Sequence, residues 1–177
     1  MTNSLSILTR IAALSSMLLF VGSVFSEQLA YHQVGGDAQS VKVPETVDLQ
    51  SLGEQSRQSG LPIILVFSAE NCSHCESLEQ DVLRPLLYSG ELRDQGLLRK
   101  YKVDGAVSIR DFQGNSRDAE DYSVLRDVEF TPTIQIVDSN GKQIVPPIVG
   151  YQTPGLYLAY LREAITVSNK ILHEKAH

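Results

Sequence analysis

Leu61-Pro-Ile-Ile-Leu-Val-Phe67, followed without a gap by Ser68-Ala-Glu-Asn-Cys-Ser-His-Cys75, is the stretch that decides the fold. The first part is a nearly continuous apolar run, the pattern of a strand buried on both faces. Pro62 fits only at the start of such a strand, because proline cannot donate to a central ladder. Beyond Cys75 the apolar positions respace to Leu78, Val82 and Leu86, which predicts a helix. Pro85 should kink that helix or open a second segment. Two cysteines thus stand where a buried strand hands over to a helix N-terminus.

Upstream, Asp48 is placed to cap a helix running to about Arg57, which Ser59 and Gly60 stop. Pro44, Glu45 and Thr46 read as a break, and residues 27–43 as a polar extension or an early edge strand. Downstream, Leu97 to Val103 suits a strand ending at Asp104-Gly105, and residues 106–117 read as a loop. A short helix is expected from Asp118 to Arg126. Thr131-Pro-Thr-Ile-Gln-Ile-Val-Asp138 offers a strand in which Ile134 and Ile136 alternate with polar partners. Asn140-Gly141 is a two-residue hairpin signal, so residues 143–149 should pair antiparallel with it, Pro146 and Pro147 marking an edge or bulge. Thr153-Pro154 starts a last helix that turns Tyr157, Leu158, Leu161, Ala164 and Ile165 inward and frays by about Lys175. The order is helix, strand, helix, strand, helix, strand, strand, helix. This predicts an α/β domain over residues 46–177, a central mixed sheet with helices on both faces.

A thiolate at a helix N-terminus meets unpaired backbone N–H groups and the positive end of the helix dipole. Both favour the ionised sulfur, which is the reactive species. The dipole supplies roughly 0.3 to 2 kcal/mol, so a larger shift needs a further donor. His74, between the two sulfurs in sequence, is the candidate. Cys72 should be exposed and attack a substrate disulfide; Cys75, one turn deeper, should be shielded and resolve the mixed disulfide. Other uses of the pair compete. As a structural staple, so short a loop gains only about 2 kcal/mol. Structural zinc needs four ligands, and His32, His74, His173 and His177 show no fitting spacing. A Cu(I) site or a copper-delivery role using Cys72 and Cys75 stays open, because soft thiolates select Cu(I). So does a redox-inert peptide-binding module. No cofactor is expected.

The chain has 177 residues, 42% of them hydrophobic and 20% charged, with a net charge of -6 and a pI near 5.2. That fits one ordinary domain and argues against nucleic acid as a partner. Arg10 is the only charged residue among the first 26, and Ile11 to Phe25 form a largely apolar run ending at Ser26. This is the three-part pattern of a signal peptide over residues 1–26, cleaved near Ser26; an uncleaved N-terminal anchor is the alternative. Export would place the two cysteines in an oxidising compartment, where they would be expected to pair.

Together these blocks resemble the thioredoxin superfamily, specifically the exported thioredoxin-like proteins of bacterial periplasms. The resemblance spans about residues 46–167. It rests on Leu61–Phe67 before Ser68-Ala-Glu-Asn-Cys-Ser-His-Cys75, on Val128-Glu-Phe-Thr-Pro-Thr133, and on Asp138-Ser-Asn-Gly-Lys142 leading to Val149-Gly-Tyr151. It implies a thioredoxin fold and a thiol–disulfide oxidoreductase. It also implies a cis Thr131–Pro132 bond facing the cysteines, with Thr131 offering its backbone to an extended substrate. The implied partners are protein or small-molecule disulfides and thiols, and a membrane thiol electron donor; the protein is expected to be a monomer. The chain departs from the family in three places. Asn71 precedes Cys72, Ser73-His74 fills the middle of the motif, and Val66 stands where the family has a buried acid. That leaves Glu70 or water to deprotonate Cys75. Ser73-His74 resembles strongly oxidising enzymes, whereas Thr131 resembles isomerases and reductases. Reductase use is preferred to oxidase use.

Overall fold

The structure is a computed structural model that describes residues 40–175. The signal peptide expected over residues 1–26, and residues 27–39 of the expected extension, lie outside the described residues.

Helix α1 (Leu49–Ser59) begins where the Asp48 side chain accepts from the Ser51 N–H, and ends at Gly60, whose φ of 72° is left-handed. Strand β1 (Ile63–Ser68) follows, with every residue buried. The next helix comes in three pieces: α2 (Ser73–Leu78), a π-helical turn (Glu79–Leu83) and α3 (Arg84–Tyr88). The wide turn has a local cause. Pro85 has no N–H and its ring crowds the carbonyl four residues back, and just before it the Arg84 N–H reaches five residues back to Glu79 O. Strands β2 (Leu97–Lys102), β3 (Ile109–Arg110) and β4 (Ser116–Arg117), helix α4 (Ala119–Leu125), strands β5 (Thr133–Val137) and β6 (Ile148–Val149), and helix α5 (Pro154–Lys175) complete the order. Among the described residues no helix is long and apolar enough to cross a membrane.

The main sheet runs β2-β1-β5-β6, with β1 parallel to β2 and the other pairs antiparallel. Because β1 is central, its alternate residues feed two cores. Ile64 and Val66 face Leu78, Val82, Leu86, Leu161 and Ile165. Ile63, Leu65 and Phe67 face Leu49, Leu52, Tyr101 and Tyr122. Helices therefore cover both faces, as the apolar run of β1 requires.

Four local readings change. Residues 106–117 are not a plain loop: β3 and β4 form a hairpin around the Asp111 carboxylate. Thr133 and Gln135 do not lie on a solvent face, since all of β5 is buried; Gln135 Oε1 accepts from Arg126 at 2.6 and 3.0 Å. The β5–β6 turn is longer than two residues, because the Asp138 N–H bonds Lys142 O and Gly141 alone takes positive φ, at 81°. Pro44 to Thr46, read as a break, pairs with the outer edge of β2: Lys100 N–H donates to Pro44 O and Thr46 N–H to Lys100 O.

Asp111 is 1% exposed. Its carboxylate accepts from the N–H groups of Gln113 (3.0 Å) and Asn115 (2.8 Å) and from Arg117 Nε at 2.5 Å. Burial pushes this carboxyl up, but Arg117, Asn115 and Gln113 outweigh it and hold it at about 2, below the usual 3.8. The folded-state value is depressed, so the stabilisation is present above pH ~4 and is lost as pH falls toward ~2, on the order of 1–2 kcal/mol. Asp111→Asn is expected to melt below the native protein at pH 7, with the gap closing between pH 4 and 2. A gap independent of pH would refute this.

Candidate active site

The loop between β1 and α2 is tied at several points. Val103 N–H bonds Ser68 O at 2.9 Å. The Asp104 carboxylate accepts from the Glu70 N–H at 2.8 and 3.1 Å. Asn71 takes a φ of 56°, the left-handed region that asparagine tolerates better than most residues. The chain thus turns sharply and delivers Cys72, in extended conformation, as the N-cap of α2. The Cys72 carbonyl accepts from Cys75 and Glu76 N–H at 3.0 and 3.1 Å. Its Sγ accepts from the Cys75 N–H at 3.2 Å. A sulfur occupies the place usually held by a serine or aspartate oxygen. Negative charge developing there is met by an aligned donor and by the helix dipole.

Cys72 and Cys75 are joined as a disulfide, with Cα atoms 5.2 Å apart. Cys72 is half-buried, whereas Cys75 is 7% exposed and faces the core below α2. The two sulfurs differ in access, as the division into attacking and resolving roles needs. Across from them the Thr131–Pro132 bond is cis. The Thr131 carbonyl oxygen lies 3.8 Å from Cys72 Sγ, and the Thr131 hydroxyl donates to that sulfur at 3.6 Å. Pro132 is buried and its carbonyl accepts from the Gly150 N–H at 2.8 Å, which fixes the segment to the end of β6.

The structure therefore brings Cys72, Cys75, Thr131 and Pro132 together. His74 stands apart, exposed on the first turn of α2 and, among the described residues, without a hydrogen-bond partner. Glu70, one candidate for deprotonating Cys75, is exposed and paired with Lys102 Nζ at 3.2 Å. Val66 lies beneath the helix, 2% exposed. Among the described residues no group of three or more His, Cys, Asp or Glu side chains is placed to hold a metal ion.

Two features escaped the sequence reading. Phe130 and Val149 are large, 66% and 57% exposed, and near Thr131, Val149 being registered against Thr133. Their signal was only that they border the Thr131-Pro132 and Gly150 positions. The second is a shielded charge cluster that joins the π turn to β2. Glu79 accepts from Lys100 Nζ at 2.8 Å and from Arg84 Nη2 at 3.0 Å, and Lys100 also meets Glu45 at 3.4 Å. Burial pushes the Glu79 carboxyl up, but the hydrogen bonds from Lys100 and Arg84 outweigh it and hold it below the usual range.

A family model described as a thioredoxin-like domain matches residues 50–165. Among solved structures, the chain resembles mitochondrial thioredoxin 3 of Saccharomyces cerevisiae in its oxidised form, at 17% identity over 70% of this chain and 93% of that one, with a TM-score of 0.48. It also resembles a thioredoxin-fold protein from Helicobacter pylori, at 23% identity over 66% and 84% of the two chains, with a TM-score of 0.41. A third likeness is to an oxidoreductase named DsbH, at 15% identity over 76% and 93%, with a TM-score of 0.49. No curated protein sequence matches significantly.

Proposed function

This chain belongs to the thioredoxin-like domain family and is a thiol–disulfide oxidoreductase with its redox pair at Cys72 and Cys75, and we propose that it is exported to the periplasm and reduces disulfides of protein substrates there. The observation that carries the exchange chemistry is Cys72 Sγ at the tip of α2, 3.2 Å from an N–H and 3.8 Å from the Thr131 carbonyl.

In the reduced protein the Cys72 thiolate attacks one sulfur of a substrate disulfide. A Cys72–substrate disulfide forms and the other substrate sulfur leaves as thiolate. Cys75 then gives up its proton and attacks Cys72 Sγ. The intramolecular disulfide closes, the second substrate thiolate departs, and two electrons have passed to the substrate. Thr131 beside Cys72 supports the placing of an extended segment there. The protein acts as a monomer, and a membrane thiol donor restores the dithiol. Residues 1–26 are the signal peptide, and residues 46–177 form the thioredoxin-like domain.

The test is to recover the mature protein from the periplasm, with Glu27 as first residue, and to equilibrate its Cys72–Cys75 pair with glutathione. A reductase should give a potential of about −270 mV, and a value of about −120 mV would overturn the reductive direction. Recovery of the uncleaved chain from the cytosol would overturn the export.

A further inference from the structure

Resolution of the mixed disulfide needs the Cys75 thiol to lose a proton, and Cys75 is nearly sealed from solvent. The groups around it are few. On its own helix His74 and Glu76 are exposed. In the preceding loop Glu70 is paired with Lys102, and Asp104 is held by the Glu70 N–H. From the sheet, Val66 offers no proton acceptor, and Lys100 is registered beside it across the β1–β2 ladder. Glu79 differs from the other carboxylates. Its N–H donates to the Cys75 carbonyl, so the two side chains share one helix face a turn apart. Side chains that far apart have Cβ atoms about 5–6 Å from each other, and helical side chains lean toward the N-terminus, here toward Cys75. The Glu79 side chain is 13% exposed, and Lys100, Arg84 and Glu45 complete the charge about it.

We propose that Glu79, held in place by Lys100 and Arg84, accepts the Cys75 proton as Cys75 attacks the mixed disulfide. This rests on the exchange reading above and deepens it. The proton moves from Cys75 Sγ to the Glu79 carboxylate. The freed electron pair on Cys75 forms the bond to Cys72 Sγ, and the substrate sulfur leaves with the pair from the broken bond. A thiol gives its proton to a carboxylate uphill, by about four powers of ten at ordinary values and by more at Glu79, which Lys100 and Arg84 hold below its usual range, so the transfer is productive only as the sulfur–sulfur bond forms. Glu79 hands the proton to solvent before the next turnover.

A purely electrostatic role would have the opposite sign. Removing the Glu79 charge would leave Lys100 and Arg84 unneutralised near Cys75, favouring its thiolate and speeding closure. The experiment mixes the reduced full-length protein, in excess, with the aromatic disulfide 5,5′-dithiobis(2-nitrobenzoate). Release of the first thiolate reports attack by Cys72, and release of the second reports closure by Cys75. In Glu79→Gln the first phase should stay within twofold and the second should slow by about 10²-fold at pH 7, the low end for losing a proton acceptor. That deficit should shrink toward pH 9 as solvent hydroxide takes over. Should Glu79→Gln fail to fold, the pair is removed together in Glu79→Gln/Lys100→Met, where the second phase should still be slow. A second phase that is unchanged or faster in the folded variant overturns the proposal. Absence of a first phase in the unaltered protein instead sinks the exchange reading itself, so the two failures are distinct.

Discussion

Cys72→Ser is expected to abolish disulfide exchange, whereas Cys75→Ser leaves the first step intact and strands the protein on its substrate. A serine hydroxyl stays protonated at neutral pH, so no dipole or capping N–H worth about 2 kcal/mol can make it a comparable nucleophile. The loss should reach at least about 10³-fold, the scale seen when a nucleophile is removed. Cys75→Ser keeps the more accessible sulfur and its place at the α2 tip, where the residue-75 backbone N–H still points at Cys72 Sγ. What it lacks is the internal thiol that displaces the captured substrate. Covalent adducts resolvable by mass spectrometry should therefore accumulate with Cys75→Ser and be absent with Cys72→Ser. Equal adduct yields from the two variants would contradict the assigned roles.

Gly53→Val is expected to cost about 3 kcal/mol or more, although glycine within a helix is ordinarily a weakness. Helix propensity alone would reward the change with a few tenths of a kcal/mol, and Gly53→Ala with about 1 kcal/mol. Packing reverses the sign. A Cβ on Gly53 would fall against the backbone carbonyl oxygen of Ser139, well inside van der Waals contact, with the Phe112 ring 3.2 Å away. Ser139 lies in the turn between β5 and β6, and a backbone atom there cannot rotate aside as a side chain could. Overpacking of this kind costs about 1–3 kcal/mol and sometimes more. The denaturation midpoint should fall without a change in slope. A midpoint at or above that of the native protein would show that α1 can back away from the turn.

The legible parts of this fold were those where one local signal governs. The apolar run of Leu61 to Phe67 could only be a strand buried on both sides, and Ile63–Ser68 is one. Asp48 and Gly60 bounded α1 by capping chemistry that needs no distant partner. Cys72 and Cys75 stood out because strand-to-helix handover gives a thiolate its donors, and the structure seats Cys72 as the cap itself. The illegible parts depend on partners far along the chain. Gln135 looked like a solvent-facing residue because its shelter comes from Arg126 and nothing within β5 announces it. The β3–β4 hairpin has strands of two residues, too short for any period, and is organised by the single carboxylate of Asp111. Asn140-Gly141 suggested the tightest hairpin, but only Gly141 takes positive φ and the loop widens. Glu79 carries no signal of its own within the helix, because its shelter comes from Lys100, 21 positions away.

The two margins of the main sheet carry a consequence for the molecule among its own copies. On one side Pro44 and Thr46 already occupy the outward amide groups of Lys100. On the other, β6 is only Ile148–Val149, preceded directly by Pro146 and Pro147. Fibrillar stacking needs a long, flat row of free N–H and C=O groups onto which the next chain can zip. Among the described residues neither border supplies one, so the main sheet offers crowded copies no template for self-propagating cross-β growth.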